Sequence, residues 1–300
     1  MKAFIRIYSI VFSLFLLAGC KDTNFKKTAG GMPYQLFKGK GGEKITSSSF
    51  IKINATSKIE DSILYTTKDK LPTYLFVGSE TRPYDLSEIW TLLQLGDSVV
   101  TTQMIDTFMN RNPGSIPPNF KKGERILTYI KILDVFDSDS AKTLDETMEN
   151  NKWLGQEISA VTKRLKEKNI QAQKTPGGAF VEIIKPGEGN LIDSGKYVSV
   201  KYTGTSFSGV IFDSNIEPGF YTIEPLSFTV GTIGPGGMIK GFDEGIKFLK
   251  KGAVANIYIP SLLAYGPNPG TNKIKPFENI QFSITVLDVQ DKAPVKPIQK

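Results

Sequence analysis

Apolar side chains occupy every second position in two segments of the last third of the chain, residues 197–202 and 280–286. Successive side chains of a β-strand point to opposite faces, so each segment is expected to form a strand with one buried face. The residues of these two faces are Val198, Val200, Tyr202, Ile280, Phe282, Ile284 and Val286.

Two other stretches have apolar residues at helical spacing. Phe242, Ile246 and Leu249 fall on one side of a short helix that is expected to stop at Gly252, because glycine tolerates the left-handed conformation at a helix C-terminus. A longer helix is expected within 141–173, a segment rich in Glu and Lys whose apolar stripe consists of Leu154, Ile158, Val161 and Leu165. This helix either packs on its own domain or contacts a partner or a second copy of the chain.

The chain also repeats itself. Both halves contain similar short motifs in the same order, which predicts an internal duplication. The matching residues have nearly the same spacing: 76–78 with 229–231, Gly96 with Gly252, and 112–114 with 268–270. Since each copy combines antiparallel strands with one short helix, the expected fold class is α+β.

The N-terminus has the pattern of an export signal. Lys2 and Arg6 precede an apolar run, residues 8–17, that is too short to span a bilayer as a mature helix. The following Leu-Ala-Gly-Cys ends at Cys20 and resembles a bacterial lipoprotein signal, in which the cysteine is acylated and becomes the first mature residue. An ordinary secretory peptide with a chance cysteine is the alternative. The lysines just after Cys20 either touch anionic lipid headgroups or belong to a solvated tether.

Composition narrows the possible chemistry. The sequence has no histidine and one cysteine, so a Ser-His-Asp triad, a Cys-His pair and a histidine zinc site are all excluded. A lone cysteine also excludes an internal disulfide. The net charge of +7 is spread along the chain, and no basic stripe with interleaved aromatic residues indicates a nucleic-acid partner. An enzyme of this composition would work by binding and electrostatics, and no cofactor or metal is expected.

Three motifs of the second copy carry a family resemblance. They are 200–204 (Val-Lys-Tyr-Thr-Gly), 211–214 (Ile-Phe-Asp-Ser) and 264–266 (Ala-Tyr-Gly). In this order they resemble the FKBP-type peptidyl-prolyl cis-trans isomerases over about residues 177–290. The resemblance implies two FKBP-like domains, each with a curved antiparallel sheet wrapped around a short helix, and a pocket between the sheet and the helix.

The resemblance also nominates the pocket. Phe242 would form its floor, where many relatives have tryptophan, and Leu226 stands where an aromatic residue is frequent. Lys273 and Lys275 replace residues that are apolar or proline in many relatives. The full candidate set is Tyr202, Phe212, Asp213, Ile239, Phe242, Tyr265 and Phe282 for catalysis, with Leu226, Phe228, Met238 and Ile274 for substrate binding.

Several of these residues have a plainer interpretation. Phe212, Phe228 and Phe282 would be expected in the core of any half-buried sheet. Tyr202, Asp213 and Tyr265 are harder to explain as core, because an aspartate directly after a buried phenylalanine predicts a hydrogen-bonded polar group inside an apolar cleft. In the family, a backbone N–H at the position of Ile239 and a hydroxyl at that of Tyr265 hold the carbonyls flanking the proline.

The first copy has different residues at the matching positions. Nearly every pocket side chain is replaced, so this copy is expected to keep the fold without isomerase activity. The replacements are Ala55 for Tyr202, Leu64 for Phe212, Tyr65 for Asp213, Leu86 for Phe242, Met109 for Tyr265 and Thr128 for Phe282.

These observations predict an isomerase that assists the folding of exported proteins, with proline-containing unfolded polypeptides as partners. It would be anchored through lipidated Cys20 in the envelope of a Gram-negative bacterium, with Lys21 favouring the outer membrane. The alternative is a non-enzymatic lipoprotein acting as a chaperone or assembly scaffold. The predicted segments are signal 1–19, tether 20–30, degenerate domain 31–138, helical linker 139–174, isomerase domain 175–291 and tail 292–300.

Overall fold

The computed structural model describes residues 25–111, 120–220, 224–269, 271 and 273–294. These residues belong to two compact units, which divide between Thr143 and Leu144. The predicted signal segment and Cys20 lie outside the described residues, as do the Asn-Pro-Gly at 112–114 and Gly270. The predicted limits of the individual segments stay predictions.

Unit 1 is built on one antiparallel sheet. Its strands run in the order β1-β2-β6-β7-β3-β4, and β5 pairs with β3. A short helix, α1 (Ile105–Arg111), follows β6. The strands are β1 Lys26–Lys27, β2 Pro33–Phe37, β3 Phe50–Ile59, β4 Ser62–Thr66, β5 Thr73–Phe76, β6 Ser98–Met104 and β7 Arg125–Phe136.

Unit 2 contains most of the long helix α2 (Asp139–Glu167) and the short helix α3 (Lys240–Ile246). Its strands run in the order β8-β9-β13-β14-β10-β11, and β12 pairs with β10. The strands are β8 Gln173–Lys174, β9 Phe180–Lys185, β10 Tyr197–Ser206, β11 Ile211–Ser214, β12 Leu226–Thr229, β13 Val254–Ile259 and β14 Ile280–Gln290.

The two sheets have the same topology, strand for strand. Even the irregularities match: the pairing of β3 with β7 shifts register after Lys52, and that of β10 with β14 shifts after Ser199. This agreement confirms the predicted duplication and the α+β fold class. It also fixes which residues correspond, because Ser57 pairs with Thr128 as Gly204 pairs with Phe282.

The alternating pattern predicted both central strands of unit 2. Val198, Val200, Ile280 and Ile284 are at most 2% exposed and lie in one core with the aromatic side chains. Unit 1 has a separate core around Ile51, Ile132 and their neighbours. Each unit therefore buries its own apolar face.

The two units differ where the short helix is expected. Gly241 and Gly245 let α3 lie directly against β13, since an added Cβ at Gly245 would meet Ile257 Cδ1 at 2.5 Å. At the matching position of Gly245, unit 1 has Ile89, which fills its core at 1% exposure. The segment there forms two 3₁₀ turns, Leu86–Glu88 and Trp90–Leu92, because a bulky side chain prevents the close approach that a helix needs.

Unit 1 also includes residues predicted as tether. Lys26 and Lys27 pair with β2, and Gly30 N donates to Glu88 Oε1 at 2.6 Å. These contacts lie within the segment predicted as tether, whose limit at residue 31 stays a prediction.

The apolar stripe of α2 packs on unit 2. Val161 is fully buried and Leu165 is 5% exposed, in a cluster with Phe180 and Tyr258. Closer to the start of α2, Leu144 is 64% exposed. Of the two interpretations of this amphipathic helix, packing on its own domain is the one observed. No helix within the described ranges is long and apolar enough to cross a membrane.

The contrast between Leu165 and Leu144 gives a test of this packing. Leu165→Ala is expected to lower the free energy of unfolding of unit 2 by about 2–4 kcal/mol, because it leaves a cavity in a buried cluster. Leu144→Ala, the same deletion on the same helix, is expected to cost less than about 0.5 kcal/mol. Urea denaturation of the full chain measures both. Equal losses would contradict the placement of the helix.

Candidate active site

The candidate site lies in unit 2 between the sheet and α3. Phe282 of β14 is its centre, and three rings meet it edge-on. The centroid distances from Phe282 are 5.0 Å to Phe242, 5.6 Å to Phe212 and 5.8 Å to Tyr202. Edge-to-face pairs at these distances are favourable, so the rings form one connected cluster.

Two further rings extend this cluster. Phe228 of β12 contacts Phe242 at 5.8 Å, and Tyr265 contacts Phe212 at 6.0 Å with planes nearly perpendicular. Each ring comes from a different element, so the cluster forms only when the whole sheet and α3 are assembled.

Gly204 makes this arrangement possible. A Cβ at Gly204 would lie 2.7 Å from Phe212 Cζ and 2.8 Å from Phe282 Cε1, closer than real Cβ contacts allow. In unit 1 the corresponding residues are Ser57 and Thr128, whose hydroxyls hydrogen-bond at 2.9 Å. A small polar pair thus stands where unit 2 has Gly204 and the ring of Phe282.

A polar pair borders the aromatic cluster at Tyr202, whose ring contacts Phe282. The Tyr202 hydroxyl donates to Asp213 Oδ2 at 2.7 Å. Burial, and then the hydrogen bond to Asp213 and its charge, raise the pKa of Tyr202 above its ordinary value. Burial and the same carboxylate also raise the pKa of Tyr265. Asp213 therefore acts on both hydroxyls, and both stay protonated at neutral pH.

The backbone on either side of this pair is fixed by Asn215, which the sequence reasoning missed. Tyr202 N donates to Asn215 Oδ1 at 2.7 Å, and Asn215 Nδ2 donates to Val200 O at 3.0 Å. The side chain is 3% exposed. A buried asparagine can both donate to and accept from the backbone of a neighbouring strand. The position of Asn215 directly after the 211–214 motif could therefore have indicated this role from the sequence.

The substrate-binding candidates lie around the same cluster. Leu226, Met238, Ile239 and Tyr265 are partly buried against the core of unit 2. Ile274 is only 3% exposed and packs into that core. Ile239 directly precedes α3 in an extended conformation, and its carbonyl accepts hydrogen bonds from the first turn of the helix.

The segment before Ile239 is held by a buried carboxylate on α3. Asp243 is fully buried, accepts from Gly231 N and forms an ion pair with Lys247 at 2.8 Å. The ion pair is formed by Oδ2, the oxygen that accepts no hydrogen bond, and the lysine compensates the charge of the carboxylate. Sequence periodicity gave no sign of this residue. Among the described residues, no three carboxylate or thiol groups are placed to hold a metal ion.

The structure thus brings the nominated residues of unit 2 into one region. In unit 1, the register places Ala55, Leu64, Tyr65 and Thr128 where the sequence comparison of the two copies put them. Leu86 lies in a 3₁₀ turn and Met109 in α1. The catalytic and binding roles themselves stay predictions.

The chain is similar to known proteins. The family model of the FKBP-type peptidyl-prolyl cis-trans isomerases matches residues 189–287. FkpA of Escherichia coli K12, an FKBP-type peptidyl-prolyl cis-trans isomerase, is 32% identical over 162 residues, covering 53% of this chain and 55% of FkpA. The FK506-binding protein of Neisseria meningitidis serogroup B is 33% identical over 115 residues, covering 38% of this chain and 99% of that protein.

The chain belongs to the FKBP-type peptidyl-prolyl cis-trans isomerase family, because it matches 99% of the Neisseria FK506-binding protein at 33% identity. Its fold is α+β with two FKBP-like domains. The chain spans about half the length of FkpA. The crystal structure of E. coli FkpA has a TM-score of 0.37 and 28% identity, covering 52% of this chain and 70% of that one.

The charge of Asp213 gives a prediction for the tyrosines. Asp213→Asn is expected to lower the pKa of Tyr202 and Tyr265, because it removes the negative charge that disfavours their phenolates. Tyr258 is an internal control: its pKa is raised by burial and by Glu182, so it should not change. NMR titration of the chain with ¹³C-labelled tyrosine Cζ measures all three. Unchanged Tyr202 and Tyr265 would contradict the proposed electrostatic contact.

Proposed function

We propose that unit 2 is a peptidyl-prolyl cis-trans isomerase whose aromatic cluster desolvates and twists an X-Pro imide. The observation that carries this proposal is the Tyr202–Asp213 pair beside the ring of Phe282, which in turn contacts Phe212 and Phe242. It combines an apolar surface for the proline ring with a fixed polar group at its side. The membership of the chain in the isomerase family supports the same reaction.

The chemistry follows from amide resonance. Rotation about the imide bond breaks its partial double bond and has a barrier of about 18–20 kcal/mol. Water stabilises the planar, charge-separated ground state through the imide oxygen. Transfer into an aromatic site removes that stabilisation, while the twisted transition state has less charge separation to lose. The site therefore lowers the barrier without a nucleophile.

The magnitudes are compatible. A ten-thousandfold acceleration requires a barrier lower by about 5.4 kcal/mol. Burial of an amide without a compensating hydrogen bond costs roughly 2–7 kcal/mol. Differential desolvation of the two states is thus large enough to supply much of the effect, provided that the substrate is held in position.

Positioning falls to groups at the edge of the cluster. The backbone N–H of Ile239 and the hydroxyl of Tyr265 hold the carbonyls that flank the proline. Asp213 and Tyr202 form the polar wall, and Phe242 and Phe282 form the floor and side. Leu226, Phe228, Met238 and Ile274 shape the surface that receives the proline and its neighbour.

Unit 1 is proposed to be inactive. It has Ala55 and Tyr65 in place of the Tyr202–Asp213 pair, and the hydrogen-bonded Ser57 and Thr128 in place of Gly204 and Phe282. Its matched positions provide controls for every change in the site.

The chain is proposed to work on proline-containing unfolded or exported polypeptides in the envelope of a Gram-negative bacterium. Its N-terminal segment has the pattern of a lipoprotein signal, and acylation of Cys20 would anchor it, with the outer membrane favoured by Lys21. Several acyl chains are needed for stable anchoring, since one chain binds a membrane only marginally.

A second candidate function is supported by the surface of unit 1. Ile63 is 62% exposed and Phe76 is 60% exposed, and Leu64 and Tyr65 are also exposed on the edge strand β4. Exposed apolar patches mark interaction sites, so this surface would suit the binding of unfolded polypeptide by a chaperone or assembly scaffold without catalysis. Binding of an unfolded client by a chain with no isomerase activity would favour this function.

A matched pair of variants tests the isomerase. Phe242→Leu gives unit 2 the residue that unit 1 has at this position. It is expected to lower kcat/KM on a short X-Pro peptide by about tenfold, because the floor loses a ring that contacts Phe282. Leu86→Ala in unit 1 is the control and should leave kcat/KM unchanged.

The measurement is a cis-trans isomerisation assay on the full chain. No activity of the folded wild-type chain would refute the proposed function. Equal losses in both variants would refute the assignment of the site to unit 2.

The anchor has its own test. Cys20→Ser is expected to abolish labelling by radioactive palmitate and to move the chain from the membrane to the soluble fraction of a Gram-negative host, because serine offers no thiol for acylation. Labelling of the variant equal to that of the wild type would refute Cys20 as the lipidated residue.

A further inference from the structure

Tyr265 lies in a short turn whose ends are tied together. It follows the 3₁₀ turn Ser261–Leu263, and Gly266 N donates to Ser261 O at 2.8 Å, closing the backbone around Tyr265. Ser261 N donates in turn to Asn279 Oδ1 at 2.9 Å. The position of Ser261 therefore determines where the backbone lies both before and after Tyr265.

Helix α2 holds this turn through Glu157. Leu262 N donates to Glu157 Oε2 at 3.1 Å, and the Ser261 hydroxyl donates to Oε1 of the same carboxylate. Glu157 is 7% exposed and Ser261 is 1% exposed, so the contact is shielded from water. Such a hydrogen bond to a buried charge is stronger than a surface one, and its geometry is well defined.

Trp153, one helical turn earlier, completes the contact. Its Nε1 donates to Glu157 Oε1 at 2.9 Å, and its ring lies 5.2 Å from that of Phe277. Phe277 N donates to Gly266 O at 2.8 Å, on the far side of Tyr265. The indole therefore orients the carboxylate and also packs against the backbone partner of Gly266.

We propose that Glu157 and Trp153 are positioning residues for Tyr265, which makes α2 part of the framework of the active site. The inference rests on the proposed isomerase function of unit 2. Glu157 touches no substrate itself: it fixes Ser261 and Leu262, and these fix the turn from which the Tyr265 hydroxyl reaches the site. Nothing in the family motifs points to this residue, which lies 104 positions before Ser261.

A purely structural anchor would behave differently. It would stabilise unit 2 as a whole, and its loss would lower activity by the same factor whether or not residue 265 has a hydroxyl. A positioning residue acts through that hydroxyl, so its effect should disappear when the hydroxyl is absent. Double-mutant cycles separate these cases, because residues that act through one another are not additive.

The experiment is a cycle on the full chain with Glu157→Gln, Tyr265→Phe and the double variant. Glu157→Gln keeps the size and the helix but removes the charge that accepts several hydrogen bonds. It is expected to lower kcat/KM on a short X-Pro peptide by about fivefold with Tyr265 present, as expected for a misplaced positioning group. In the Tyr265→Phe background, the further loss should be less than about twofold.

Two variants complete the design. Glu167→Gln is the matched control, since Glu167 lies on the same helix, is 63% exposed and pairs only loosely with Lys163 at 3.9 Å. It should leave kcat/KM unchanged. Trp153→Phe removes the indole donor and keeps a ring beside Phe277, and is expected to give a smaller loss that also disappears with Tyr265→Phe. Urea denaturation shows whether each variant is folded. If Glu157→Gln is unfolded, the cycle of Trp153→Phe with Tyr265→Phe tests the inference in its place.

The outcomes are distinct. A loss that depends on the Tyr265 hydroxyl supports the inference. Equal losses in both backgrounds, or no loss in a folded Glu157→Gln chain, overturn it and leave the isomerase assignment intact. An inactive wild-type chain overturns the proposed function itself, and the inference with it.

Discussion

The close approach of α3 to β13 is the constraint on which the site depends. Gly241 and Gly245 face Ile259 and Ile257, and a Cβ at either glycine would come within 2.5 Å of an isoleucine carbon. Only at this depth does Phe242 reach Phe282, at 5.0 Å. Unit 1 keeps the sheet but has Ile89 in the place of Gly245. It therefore forms 3₁₀ turns instead of the helix.

The second requirement lies on the sheet itself. Gly204 leaves room for two rings, and Phe282 uses that room to join Tyr202, Phe212 and Phe242. The Ser57–Thr128 pair of unit 1 is the alternative solution for the same backbone. The rings of Phe212 and Phe282 therefore require that position 204 have no side chain. Unit 1, with Ser57 at this position, has Thr128 where unit 2 has Phe282, so the two copies share a topology and differ in the pocket.

The fold was largely predictable because its signals are periodic and local. Alternation in 197–202 and 280–286 predicted the central strands, and the stripe containing Val161 and Leu165 predicted α2. The duplication was visible because two copies retain motifs in one order. The 3₁₀ turns of unit 1 were not predicted, since they follow from the size of Ile89 against a strand that is distant in sequence. The pairing of Lys26 and Lys27 with β2 has no apolar pattern to reveal it.

The site was predictable to the extent that its residues lie in motifs. Tyr202, Asp213 and Tyr265 were nominated because each stands in a recognisable short segment. Asn215 and Asp243 were missed, since each acts by hydrogen-bonding backbone that the motifs do not describe. A polar side chain that supports another segment leaves no periodic signal, and only the folded chain identifies its partner.

Helix α2 illustrates the same limit on a larger scale. Its sequence is that of an ordinary amphipathic linker, and Val161 and Leu165 account for its packing on unit 2. Yet Glu157, on the same helix, is buried among neutral donors of the turn that carries Tyr265. Burial of a carboxylate is unfavourable unless several donors compensate it, so an apolar residue would have been the simpler anchor. Packing alone does not require a carboxylate at this position. Fixing the position of a turn does require one, because hydrogen bonds define direction as well as distance, whereas apolar contacts define neither closely.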